Sequence, residues 1–220
     1  MVVVDPKLFA RTERLLLRPL RLDDADDVLL MRRHPDCMKH TSLLPSDDLE
    51  SARSWIQGCH NVEGNWNFAI ELLEQHAGPR VIGLIGAVRA PEIGYMFNTS
   101  YWGYGYATEA LRGFMPLFFE HYSGRNIADF AGRHYGEDMK GAGTNNRATE
   151  NGNTAEGPLA PRYDYAEAHT DTELVSSQNV LTKVGFKLHE KRDKDFENPV
   201  LGLRDSLVYR MYRPTGEGGS

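Results

Sequence analysis

The sequence predicts a single domain of the α/β (α+β) class, and three observations carry that reading. Apolar residues at helical spacing follow aspartates near the N-terminus; three short apolar runs succeed one another between residues 67 and 97; and the last of them enters a glycine-rich turn that opens into a helix. A change of period from helix to strand and back along one chain is the signature of mixed architecture.

In chain order, residues 12–20 (TERLLLRPL) form a β-compatible run closed by Pro19, which cannot continue a ladder. Asp23 and Asp24 can cap a helix that carries Ala25, Val28, Leu29 and Arg32 and stops before His34-Pro35, because residues preceding proline avoid the α region. Asp47 with Glu50 resembles a capping box, and Leu49, Ala52, Ile56 and Cys59 share a helical face behind it. Residues 67–73, 81–89 and 92–97 read as an antiparallel meander. Ala107, Ala110, Leu111, Phe114 and Phe118 mark the next helix, in which Gly113 and Pro116 predict a kink, and 127–131 is expected to be a fifth strand. From about 136 to 168, glycines, asparagines and prolines crowd together and apolar residues are sparse; this predicts a flexible insertion, as structureless segments of that length are commonly lids or disordered. A helix over 175–183, a strand from Phe186, a polar loop over 195–198, a last strand over 206–212 and a flexible glycine-rich tail complete the prediction.

Composition narrows the function. The 220 residues carry 25 Lys and Arg against 31 Asp and Glu, a formal charge of −6, which argues against a partner bound through nucleic-acid phosphates and leaves room for cationic substrates. The longest apolar stretch, 81–88, falls short of the roughly 20 residues that cross a bilayer. The N-terminal residues show no basic and apolar leader pattern, so the expected location is cytoplasmic, with no membrane partner. Cys37 and Cys59 make neither a disulfide framework nor a metal-ligand pair, and the eight histidines form no metal motif, so no metal is expected.

The chemistry is concentrated in residues 92–111 (EIGYMFNTSYWGYGYATEAL). A strand, a Gly-x-Gly turn and a helix N-terminus in succession aim several backbone N–H groups at one point, and the helix dipole adds roughly half a positive charge there. Gly103 and Gly105 let the backbone approach an anion such as pyrophosphate, although the pattern lacks the Lys-Ser or Lys-Thr of a P-loop and the third glycine of a dinucleotide fingerprint. A second segment, 171–186 (DTELVSSQNVLTKVGF), completes the pattern. Together with 12–20, the two segments resemble the GNAT superfamily of acetyl-CoA-dependent N-acetyltransferases, and within it the branch of ribosomal-protein N-terminal acetyltransferases. The acetyl-CoA signature of that superfamily is Arg or Gln, two variable residues, Gly, a variable residue, then Gly or Ala; Trp102 to Ala107 match it, with Trp102 in the Arg or Gln position. The late motif matches at Ser177, Val180, Leu181, Lys183, Gly185 and Phe186, with Leu174 in place of its asparagine. The resemblance covers roughly 11–213 and is interrupted by the insertion.

The resemblance implies a mixed, mostly antiparallel sheet splayed between strands four and five, with the pantetheine of acetyl-CoA in the gap. Backbone groups of Tyr95, Met96 and Phe97 would pair with the pantetheine amides, and the N–H groups of Trp102, Gly103, Tyr104, Gly105, Tyr106 and Ala107, with the Thr108 hydroxyl, would hold the pyrophosphate. The implied reaction is direct attack of a neutral primary amine, on a small molecule or a protein N-terminus, upon the thioester. Glu92 is the expected base and Ser177 the expected hydrogen-bond donor to sulfur, while Glu109, in the first helical turn, reads as structural. The tyrosine acid frequent in the family would fall at Leu181. His34, Lys39 and His40, and the 190–198 segment, would flank the acceptor. The departures at Trp102, Leu174 and Leu181 keep a non-catalytic acyl-CoA-binding or regulatory module as the alternative, and the oligomeric state is open between monomer and homodimer.

Overall fold

A computed structural model describes residues 9–61, 66–74, 77–125, 134–135, 159 and 161–214 of the chain. Its centre is a nine-stranded sheet built from β1 (Phe9–Arg11), β2 (Leu15–Pro19), β3 (Trp66–Leu72), β4 (Val81–Arg89), β5 (Glu92–Phe97), β6 (His134–Tyr135), β7 (Tyr165–Asp171), β8 (Lys187–Asn198) and β9 (Gly202–Tyr212). The strand order is β6-β1-β2-β3-β4-β5-β7-β9-β8, antiparallel except where β6 meets β1 and β7 meets β5. The helices are α1 (Ala25–Arg32), α2 (Pro35–Met38), α3 (Leu49–Asn61), α4 (Tyr106–His121) and α5 (Val175–Val184).

The meander is as its pattern predicts, and β4 shows why 81–88 is apolar: residues 81–87 are buried because both faces of the sheet are covered. On one face Trp66, Phe68 and Ile85 pack with Phe114 and Phe118 of α4; on the other Val81 and Leu84 pack with Val28 and Met31 of α1 and Ile56 of α3. Burial on that scale, at roughly 25 cal/mol per Å² of apolar surface, holds α4 as one helix across Pro116. On β2 Arg18 makes a bidentate pair with buried Asp24 at 2.7 and 2.8 Å and also reaches Glu71 at 2.6 Å.

Several expectations are corrected. The strand expected over 12–20 is shorter, β2 at Leu15–Pro19, and a further strand, β1, precedes it at Phe9–Arg11; Thr12 N–H donates to the Leu15 carbonyl in the turn between them. Helix α1 does end before His34-Pro35 as expected, and an additional helix, α2, follows directly on His34, since proline is tolerated in a first helical turn. The cap of α3 is Asp48, whose carboxylate accepts from Glu50 and Ser51 N–H, and not Asp47. The polar loop expected over 195–198 is the end of β8, which pairs with β9 through a bulge after Arg192. The fifth strand expected at 127–131 lies outside the described residues, as do 136–158 and 160 of the insertion and the glycine-rich tail from 215. Residues 165–168, expected in that insertion, instead begin β7, and β7 is the strand beside β5.

Candidate active site

The parallel pairing of β5 and β7 consists of a single described register pair, Glu92 with Glu167. Beyond it the strands part, leaving the β7-facing edge of Gly94 to Phe97 without a ladder partner while the opposite edge stays bonded to β4. A cleft of about 910 Å³ fills the gap and continues past the turn that opens α4, within the size range of ligand sites.

Local backbone chemistry shapes the turn. Gly103 (φ +83°) and Gly105 (φ +82°) are both left-handed, a conformation costly for residues with a Cβ, and the space before Gly103 is empty to 4 Å. Gly105 caps α4 without a side chain, and the N–H groups of Tyr106, Ala107 and Thr108 belong to the first turn, which has no intrahelical acceptors. Glu109 anchors this turn from behind: its carboxylate accepts from Thr12 Oγ1 at 2.6 Å, Arg14 N at 2.8 Å and Arg14 Nε at 2.7 Å. Burial pushes the Glu109 carboxyl upward, but those bonds outweigh it and hold the group below its ordinary value, so the residue is structural. Trp102 spends its indole N–H on the Phe97 carbonyl at 2.8 Å, and the Cys37 thiol donates to the same oxygen at 3.3 Å. Of the three residues expected to meet pantetheine amides, Phe97 therefore has its carbonyl already engaged.

Alternation along β5 divides its side chains. Ile93, Tyr95 and Phe97 face α4 and α5, whereas Met96 packs with the α1 and α3 side, the face shared by Glu92. Tyr95 OH lies 2.8 Å from Ser177 Oγ on α5 and 3.2 Å from the Ser177 carbonyl, so strand and helix are tied across the cleft. Burial pushes the Tyr95 phenol up to about 12. Leu181, at the position of the family's tyrosine, is buried in the core with 1% exposure. On β7, Thr170 lines the cleft with its Oγ1 buried and without a protein partner, a polar atom placed to meet a ligand amide.

The opposite face of β7 carries charged residues that sequence reasoning missed. Glu167 accepts from His169 Nε2 at 2.7 Å and Arg210 Nε at 2.6 Å. Asp171 has no exposed side-chain surface; Arg204 donates to it at 3.0 Å through Nε and Nη2, Glu173 N donates at 2.8 Å, and His40 Nδ1 is 3.1 Å away. Burial raises the Asp171 carboxyl, and these partners more than offset it, leaving it at about 2. Glu92 differs: it is 30% exposed, and among the described residues the cation paired with it is Arg89, whose Nη2 is 3.9 Å away. His40, His169, Arg192 and Asp195 line the cleft, so of the residues expected to flank the acceptor His40 and part of the 190–198 segment reach it, while His34 and Lys39 do not line it. The available signal was the alternation of Ala166, Ala168 and Thr170 with Glu167, His169 and Asp171, disguised because the alternate positions are charged instead of apolar. Among the described residues, no group of three or more His, Cys, Asp or Glu could hold a metal ion, and no helix is long and apolar enough to cross a membrane.

The cleft suits an extended ligand with amides along its length and an anion at one end: an unpaired strand edge and an orphaned hydroxyl for the first, an open left-handed glycine turn for the second. Comparison with known proteins agrees. The family model described as an acetyltransferase (GNAT) domain matches residues 14–187. An uncharacterized N-acetyltransferase, p20 of Bacillus licheniformis, is 34% identical over 110 residues, which are 46% of this chain and 60% of that protein. The chain thus spans about three fifths of the length of this curated relative. Among solved structures, a GNAT-family acetyltransferase from Bacillus anthracis superposes with a TM-score of 0.64 at 20% identity, covering 93% of this chain and 98% of that one. Mycobacterium smegmatis RimJ in complex with CoA-disulfide superposes with a TM-score of 0.60 at 20% identity, covering 90% and 81%.

Proposed function

Because the chain belongs to the GNAT acetyltransferase family, we propose that it is an N-acetyltransferase that moves an acetyl group from acetyl-CoA to a primary amine, on a small molecule or a protein N-terminus, by direct attack in a ternary complex. Acetyl-CoA supplies the activated acyl carbon and a thiol leaving group. The observation that carries the reading is the continuity, in one cleft, of the free β5 edge at Gly94 to Phe97 with the glycine turn and first-turn N–H groups of α4.

Each residue has a defined task. Backbone groups of Tyr95 and Met96 hold the pantetheine amides, assisted by Thr170 Oγ1 from the facing strand. Gly103 to Ala107 and the Thr108 hydroxyl bind the pyrophosphate through N–H and O–H donors, with no cationic side chain at position 102. Glu92 takes the proton of the incoming ammonium: of the carboxylates on the β5 and β7 strands at the acceptor end it alone keeps its lone pairs free of close donors, while Glu167 and Asp171 are spent on Arg210, His169 and Arg204. Ser177 Oγ donates to the departing sulfur.

The indole of Trp102 turned away to Phe97 and the buried Leu181 favour a second reading, an acyl-CoA-binding module without turnover. Calorimetry with CoA followed by a thiol-release assay over an amine panel separates the two. Binding with thiol release supports the transferase, binding without release for any amine supports the module, and no binding removes both.

A further inference from the structure

One polar contact across the cleft is not explained by holding the ligand's backbone: the hydroxyl of Tyr95 on β5 meets that of Ser177 on α5 at 2.8 Å, 82 residues apart in sequence. We propose that Tyr95 acts through Ser177 on the sulfur side of the reaction: the phenol donates to Ser177 Oγ, and this turns the serine's own proton into the cleft as the donor to the departing sulfur. The inference rests on the transferase reading and adds a positioning residue to it.

Three considerations fix the direction of the bond. A phenol is a far stronger acid than an alkanol, so in a hydroxyl pair the phenol is the preferred donor. The contact to Ser177 Oγ, at 2.8 Å, is also shorter than the 3.2 Å to the Ser177 carbonyl, which as a helix carbonyl already accepts within α5. A hydroxyl that accepts one hydrogen bond becomes a better donor of the next, so the chain Tyr95 to Ser177 to sulfur is polarised toward an anion at its end. Burial keeps the phenol protonated and neutral throughout the working pH range. When the amine nitrogen bonds to the acyl carbon, the carbon–sulfur bond breaks with its electron pair on sulfur. Glu92 has by then taken the ammonium's proton; the second proton, which the nitrogen sheds as the amide forms, ends on the departing thiolate to give the CoA thiol, and the Tyr95 and Ser177 protons stay on their oxygens as hydrogen bonds. The strand tyrosine thereby supplies what Leu181, in the family's tyrosine position, has no group to supply.

The test uses CoA alone as the probe and needs no acceptor. The pKa of the bound CoA thiol is followed by thiolate absorbance in the wild type, Tyr95→Phe, Ser177→Ala and the double variant, with CoA affinity measured on each. Phenylalanine keeps the ring that packs against the core. The wild type should lower the bound thiol's pKa below that of free CoA by about one unit or more, a shift expected when hydrogen bonds favour the charged form. Each single variant should return it most of the way, the double variant should go no further than Ser177→Ala, and CoA affinity at neutral pH should change less than threefold. A Tyr95→Phe protein that binds CoA and still depresses its thiol pKa like the wild type overturns the inference and leaves the transferase reading standing. Additive losses in the double variant show that Tyr95 does not act through Ser177 and also overturn it. Failure of the wild type to bind CoA overturns the transferase reading itself.

Discussion

Glu92 and Glu167 are side-by-side partners on parallel strands, and among the described residues they form the one register pair between β5 and β7. The two carboxylates face the same side of the sheet, yet only one is neutralised. Arg210 and His169 hold Glu167 at 2.6 and 2.7 Å, whereas among the described residues the cation paired with Glu92 is 3.9 Å away on an arginine that is 80% exposed. That asymmetry places a carboxylate with free lone pairs at the mouth of the cleft.

If Glu92 takes the amine's proton, Glu92→Gln should lower turnover roughly 10²-fold or more while CoA affinity stays within twofold. The loss should shrink as pH rises toward the amine's own pKa, because the acceptor then arrives already neutral. Steady-state rates across pH with any acceptor that turns over decide the matter; a variant within twofold of wild type at neutral pH removes Glu92 from the role.

Gly105 tests the anion turn. A Cβ there would meet only Arg14 Nη2, at 3.7 Å, so crowding is not the obstacle; the backbone angle of +82° is. Gly105→Val should cost roughly 1–3 kcal/mol in strain or shift the turn. The stabilisation expected from CoA at 100 times its dissociation constant, about 2.7 kcal/mol, should be lost with it. Thermal unfolding with and without CoA provides the measurement, and an unchanged ligand-induced rise would show that the turn does not bind the pyrophosphate.

Glu109 joins the turn between β1 and β2 to the start of α4 through Thr12 and Arg14. Glu109→Ala removes the acceptor of the Arg14 backbone N–H and Nε, leaves the Thr12 hydroxyl only its 3.4 Å contact with the Leu15 carbonyl as an acceptor, and should destabilise the fold by about 1–2 kcal/mol in urea titration. A change under about 0.5 kcal/mol, the level of an ordinary surface substitution, would mean that the contacts are dispensable.

His121 stacks on Trp66 with ring centroids 4.3 Å apart and planes 9° from parallel, and burial lowers its pKa from 6.5 to about 4. The unfolded chain therefore takes up a proton as pH falls through 6.5 while the folded protein does not until about 4. This group contributes stability that is present above pH 6.5 and lost between 6.5 and 4. His121→Phe keeps an aromatic ring on Trp66 and should flatten the fall in stability over that window relative to wild type. Parallel slopes for the two proteins would show that His121 titrates normally in the fold.

By itself the sequence determined the elements whose signals are local. The β3–β4–β5 meander, α4 and α5 follow from hydrophobic period, and the tight turn before α4 follows from its two glycines, both left-handed. Tertiary structure decided the rest, and the physical reason is that charge can be buried only when a distant partner neutralises it. Glu167 reads as part of the insertion, and His169 and Asp171 read as no strand, until Arg210 and Arg204 of β9 and His40 of the loop between α2 and α3 are brought against them; with those partners they become one face of β7, the strand that forms the far wall of the cleft. Asp195 to Asn198 read as a turn and are a strand because β9 supplies the ladder. The Tyr95–Ser177 contact had no local signature at all: it exists because β5 and α5 converge where β5 and β7 part.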